Sequence, residues 1–109
     1  MRNQQERQVA AVVALPAEID FSNAERACVP LDAALAAGAG VVIADCTSTV
    51  FCDTWAVRRL LMVHRKATAR DAELRLTAPP GGPMERMLEL MGVTRMLRIY
   101  PSLDQAAAA

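Results

Sequence analysis

The side chains with chemistry to offer gather in one short stretch. Cys52, Asp53 and Thr54 put a thiol, a carboxylate and a hydroxyl in succession, followed closely by Trp55, Ala56, Arg58 and Arg59. The one histidine, His64, lies further along the same segment. Thiol, carboxylate and imidazole suggest a nucleophile with its base, but those groups must sit within hydrogen-bond reach of each other. If the segment is a helix, His64 stands about 15 Å along it from Cys52. Thiol catalysis is therefore set aside, and His64 is read as a helix-border residue with its ring edge in water. Cys28, Cys46 and Cys52 are odd in number and form no Cys-x-x-Cys pair, which fits free thiols in a reducing compartment. Neither a disulfide framework, a metal site nor a cofactor is expected.

Asp53 stands where a helical period begins. Ala56, Val57, Leu60, Leu61 and Ala67 recur on one side, with Arg58, Arg59, Arg65 and Lys66 read as a solvated face on the other. Asp53 then serves as N-cap, and Thr54 takes the first helical position, where unpaired backbone N–H groups and the helix dipole favour negative charge. Two readings stay open. In one, Asp53 is a simple cap and Thr54 an ordinary first-turn residue. In the other, Thr54 accepts a phosphoryl group, which adds roughly −1.5 to −2 charge and could pair with Arg58 four residues on while Asp53 repels it. Trp55, the only tryptophan, is either an exposed binding anchor or partial core folded over the neighbouring loop.

The elements that must position this stretch follow from hydrophobic periodicity. Val9, Val12, Val13 and Leu15 make an apolar, largely β-branched run closed by Pro16, which predicts a strand, and residues 17–19 predict a short second one. Ala24, Ala27, Cys28, Leu31 and Leu35 fall at helical spacing after the candidate caps Ser22 and Asn23. Pro30 either kinks that helix or starts a second one in its first turn. Val41, Val42 and Ile43 read as a buried strand, and the pattern of Leu74 and Leu76 reads as a half-exposed one ended by Pro79 and Pro80. Met84, Met87, Leu88 and Met91 form a helical core stripe stopped by Gly92. A last strand near residues 96–99 and an alanine-rich helix close the pattern.

Composition sets outer limits. Alanine supplies 21 of the 109 residues, so the larger apolar side chains suffice for one core, not two. Twelve basic and twelve acidic residues cancel, leaving no field of the kind that attracts nucleic acid or anionic lipid. No apolar run approaches the roughly 20 residues that span a bilayer. Arg2 and Arg7 ahead of an apolar run imitate a signal peptide, but Glu6 and the β-branched run argue against secretion. The expectation is a cytoplasmic protein with residues 1–8 as a flexible leader and residues 9–107 as one domain.

The order β, β, α, β, α, β, α, β, α, with a strand running straight into Phe51, Cys52, Asp53, Thr54 and Trp55, resembles the STAS domain of anti-sigma-factor antagonists. The likeness extends through Glu18, Ile19 and Asp20; through Val41, Val42, Ile43, Ala44 and Asp45; and through the helix 58–69 carrying His64, Arg65 and Lys66. It continues in Leu74, Arg75 and Leu76 and in the ending from Leu88 through Gly92 to Tyr100, Pro101, Ser102 and Leu103. It implies an α/β STAS-type single domain, a mixed sheet of about five strands packed with about four helices. It also implies a switch protein that is not an enzyme. Such a protein binds an anti-sigma factor that is also a GHKL-type serine/threonine kinase, is phosphorylated on the hydroxyl residue after the loop aspartate, and is restored by a phosphatase.

Carried onto this chain, the phosphorylation residue is Thr54, and the partner-binding surface comprises Asp53, Thr54, Trp55, Ala56, Arg58 and Arg59. The family pattern there is Asp, Ser, Ser or Thr, then Gly, whereas this chain reads Asp53, Thr54, Trp55, Ala56. Trp55 and Ala56 thus replace small residues, and an exposed Trp55 points to a partner unlike the usual kinase. A second reading keeps the domain without phosphorylation, as a scaffold or homodimerisation module in a signalling complex. A third, a small-ligand or lipid-transport accessory module, lacks a Gly-rich phosphate loop in the sequence to support it.

Overall fold

The structure, a computed structural model, describes residue 9 and residues 11–109. The expected leader, residues 1–8, lies outside the described residues. The strands are β1 (Ala11–Ala14), β2 (Glu18–Ile19), β3 (Val41–Asp45), β4 (Phe51–Cys52), β5 (Glu73–Thr77) and β6 (Arg98–Tyr100). The helices are α1 (Ala24–Ala27), α2 (Val29–Ala36), α3 (Thr54–Ala69), α4 (Pro83–Leu90) and α5 (Leu103–Ala108). Four strands form one sheet in the order β1-β3-β5-β6, parallel at every pairing. Among the described residues β2 and β4 pair with each other, also in parallel, and not with the main sheet, so the strands divide four and two rather than forming one sheet of about five.

Parallel neighbours need crossovers, and the helices supply them. Alternation along the strands sends Val42, Ala44, Leu74 and Leu76 into the main core with Leu31, Leu35, Leu60 and Val63 from α2 and α3. On the opposite face, Ile43 and Arg75 are register partners, and Arg75 Nη1 donates to the Ala106 carbonyl of α5 at 2.8 Å. Helix α5 therefore covers the side that the sequence pattern left to solvent. This corrects the half-exposed reading of β5: residues 74–77 are all buried. Its charge is accommodated because Arg75 Nε also donates to Glu73 Oε2 at 2.6 Å.

Local rules account for the helix ends. Pro30 lies in the first turn of α2, just past Cys28, so the chain uses two helices instead of one kinked helix. Helix α4 ends in a Schellman motif: Val93 N donates to the Leu88 carbonyl, Gly92 N donates to the Glu89 carbonyl, and Gly92 adopts φ 69°. The last strand begins at Arg98 rather than Met96 because a turn, with Met96 N donating to the Val93 carbonyl, occupies the preceding residues.

At the C-terminal ends of β3 and β5, Asp45 Oδ1 accepts from the Thr47 amide at 3.0 Å, from the Thr47 hydroxyl, and from the Thr77 hydroxyl at 2.6 Å. Burial pushes this carboxyl up, but the three donors outweigh burial and hold it below the ordinary carboxylate value. A depressed folded-state value means that the stabilisation is present above the unfolded value near 4 and is lost as pH falls through the folded one. Asp45→Ala should cost about 2 kcal/mol at neutral pH. In urea titrations the gap from wild type should close as pH falls below about 4. A gap independent of pH would reject this account.

Candidate functional site

The small β2–β4 pair builds the site. Glu18 pairs with Phe51 and Ile19 with Cys52, so both strands end at the same level and their chains leave side by side. From β2 the chain enters a tight loop in which Asp20 Oδ1 accepts from the Ser22 amide at 2.8 Å and from its hydroxyl. Asn23 Oδ1 accepts from Asp20 N at 2.9 Å, and Asn23 Nδ2 donates to the Glu18 carbonyl at 2.8 Å. Asn23 is the residue before α1, but its side chain braces the loop instead of capping the helix. Donation from the Ser22 hydroxyl, then from its amide, holds Asp20 below the usual carboxylate range.

From β4 the chain enters α3 through Asp53. Its Oδ1 accepts from Trp55 N at 2.9 Å and Ala56 N at 3.3 Å, the N-cap expected from sequence. Its other oxygen, Oδ2, accepts from Phe21 N at 3.1 Å across the gap from the β2 loop. Asp53 N itself donates to the Ile19 carbonyl at 3.2 Å. One carboxylate thus caps α3 and fixes where Phe21 stands relative to Trp55.

Thr54 occupies the first position of α3 and is exposed. Trp55 is 52% exposed, with the guanidinium carbon of the exposed Arg58 lying 5.2 Å from its ring centroid. Ala56, in contrast, is fully buried, its methyl part of the core. Cys52 is buried at the end of β4, and burial, then the charge of Asp53, raises its thiol pKa. Burial likewise pushes the Cys28 thiol to about 11 and the Cys46 thiol to about 12. None of the three is primed as a thiolate. Among the described residues, no group of three or more His, Cys, Asp or Glu side chains could hold a metal ion.

Arg59 corrects the expectation of a solvated basic face: it is only 4% exposed. Arg59 lies one turn from both Ala56 and Val63 on the core side of α3, a position that the sequence already contained. Its Nη2 donates to Asp32 Oδ2 of α2, an oxygen that also accepts from Lys66 Nζ at 3.0 Å. Glu25 Oε2 of α1 lies 2.9 Å from Arg59 Nε, a charge contact without hydrogen-bond alignment. Burial raises the Asp32 pKa, but the Arg59 and Lys66 donors more than offset it and keep the carboxyl below its ordinary value.

Between α1 and α3 opens a groove of about 430 Å³, lined chiefly by Phe21, Trp55, Arg58, Leu61, Met62 and Arg65. Phe21 is 75% exposed and Met62 44%. Neither was singled out in the sequence: Phe21 falls in a polar turn, and Met62 reads as an ordinary helix residue. The available signal was the spacing 55, 58, 62, 65, a second stripe on α3 beside its core stripe.

Three substitutions test these contacts. N-cap scales rate Asp and Asn as near equals, but Asp53→Asn turns an amide NH2 toward a backbone donor and should cost about 1–2 kcal/mol. Equal thermal stability of variant and wild type would reject the two-sided role. Asp32→Ala leaves Arg59 buried with only the exposed Glu25 and should cost about 3 kcal/mol. Lys66→Ala, which removes an exposed partner, should cost no more than about 0.5 kcal/mol in the same denaturation series.

The STAS domain family model matches residues 2–106. No curated protein sequence matches the chain significantly. Among solved structures, a Thermotoga maritima protein assigned as an anti-sigma factor antagonist is similar with a TM-score of 0.72 and 18% identity, over 94% of this chain and 93% of that one. The anti-sigma factor antagonist SpoIIAA in its unphosphorylated form is similar with a TM-score of 0.65 and 19% identity, over 96% of this chain and 87% of that one. These neighbours share the parallel α/β architecture, and the family model covers nearly the whole sequence, so the chain belongs to the STAS domain family.

Proposed function

We propose that this protein is an anti-sigma-factor antagonist. It binds a cytoplasmic anti-sigma factor that is also a GHKL-type serine/threonine kinase, and phosphorylation of Thr54 releases it. The observation that carries this reading is an exposed hydroxyl residue, Thr54, at the first position of a capped 16-residue helix in a STAS domain. In this role the protein is a binding switch and substrate, not an enzyme, and a phosphatase resets it.

The chemistry of the switch is local. A phosphoryl group on Thr54 adds roughly −1.5 to −2 charge where the helix dipole tolerates it, so the domain stays folded. Arg58, four residues on, is the cation within reach. It stacks on Trp55 in the structure, and a phosphate competes with that ring for it. Phosphorylation then changes the charge and the aromatic surface together. Asp53 and Trp55 complete the partner surface, while Ala56 and Arg59 support it from beneath.

Trp55 is exposed where the family pattern has a small residue, so the partner differs from the usual kinase of this class in needing a recess for an indole. The half-exposed Trp55 also supports a second reading, a phosphorylation-independent scaffold or homodimer that uses the same face. Incubation with a GHKL-type kinase and ATP should place phosphate on Thr54 and none on Thr54→Ala, while Thr54→Glu should weaken kinase capture at least about tenfold. Trp55→Ala should weaken capture about 30-fold. Phosphate on another residue, with Thr54→Ala behaving as wild type, would sink the switch and leave the scaffold.

A further inference from the structure

We infer that the groove between α1 and α3 receives an acidic amphipathic helix of the partner protein. This deepens the proposed function by naming the chemistry of the segment that docks there.

Two features of the groove converge on that occupant. The first is apolar surface left uncovered: Phe21 from the β2 loop, Trp55 at the start of α3 and Met62 two turns on are exposed by 75%, 52% and 44%. Isolated exposed apolar residues need no explanation, but three around one depression mark a contact surface. The second is charge. Glu25, Arg58, Arg59 and Arg65 are the charged residues that line the groove. Glu25 lies against Arg59, and Arg59 is also paired with Asp32. Arg58 and Arg65 remain exposed on the rim, a local excess of positive charge on a chain of zero net charge.

The order of these side chains sets the shape of the ligand. Trp55, Arg58, Met62 and Arg65 alternate apolar and cationic along one side of α3, spanning about 15 Å. A partner helix laid along this stripe meets the two cations about two turns apart, with apolar contacts before and between them. Carboxylates at i and i+7 with leucine-like residues at i+3 and i+4 satisfy both requirements. A basic helix would meet Arg58 and Arg65 with like charge, and a wholly apolar one would leave both without counter-ions.

The sole tryptophan lies in the groove and reports its occupancy. The probe is a tryptophan-free synthetic helix of about 14 residues, with glutamates and leucines in that pattern; the control carries lysine at each glutamate. Titrating the acidic peptide should shift Trp55 emission to the blue in a saturable manner, more weakly as salt rises. The lysine peptide should produce no shift. Arg65→Glu, at an exposed position away from the indole, should weaken the acidic peptide about tenfold, and Met62→Ser should weaken it without changing the salt dependence. Equal response to both peptides, no response to either, or an unaffected Arg65→Glu would overturn the proposal. Binding of the acidic peptide by a protein that captures no GHKL-type kinase would support the groove chemistry while removing the proposed partner. Kinase capture unaffected by Arg65→Glu would overturn the acidic helix and keep the partner.

Discussion

The Asp53 carboxylate is the constraint on which the site depends. One oxygen takes the first free amides of α3 and the other takes the amide of Phe21, so a single side chain registers a helix against a loop remote in sequence. The arrangement is available because β2 and β4 pair in parallel and end together. Once the start of α3 is fixed, helical period decides the rest. Residues 56, 57, 60, 63 and 67 point into the core, and residues 55, 58, 62 and 65 point along the groove. A shift of one residue in the cap would turn both stripes by about 100° and ruin the two faces at once.

Arg59 supplies the second tie, between helices. Helix α1 is one turn long, too short to persist on its own propensity. Its Glu25 and the Asp32 of α2 converge on an arginine projecting from α3, which ties the three segments beneath the groove. Burying that charge is costly, and among the described residues Arg59 Nη1 and Asp32 Oδ1 have no hydrogen-bond partner. Such an arrangement is better at selecting one geometry than at adding stability. What it selects here is the spacing between the walls that carry Phe21 and Met62.

Much of this was legible in the sequence where the controlling physics is local. The cap at Asp53, the break at Pro30, the stop at Gly92 and the buried run of β3 all follow from the backbone needs of neighbouring residues. The departures come from contacts between distant residues. Strand β5 alternates polar and apolar, yet it is buried on both faces because α5 returns over Arg75. Arg59 reads as one of four solvated cations until Asp32 is brought opposite it. Only the α3 wall of the groove had a local signature, the spacing 55, 58, 62, 65; Phe21, in a polar turn, gains its meaning from lining the same groove as Met62.

The zero net charge acquires a consequence at this face. With no bulk field to steer association, recognition depends on charges within about a Debye length, roughly 8 to 10 Å. Arg58 and Arg65 are the exposed cations along the groove, and Arg58 is also the one that reaches Thr54 by helical spacing. A phosphate on Thr54 therefore does not merely add negative charge to the surface. It takes Arg58 away from the indole and from an acidic ligand, leaving Arg65 alone to hold the ligand's other carboxylate. In the proposed switch, one cation is shared by three acceptors, the Trp55 ring, the partner's carboxylate and the phosphate. The strongest of these, the phosphate, is the one that the kinase adds. Release then follows from competition within one helical turn and requires no rearrangement of the core.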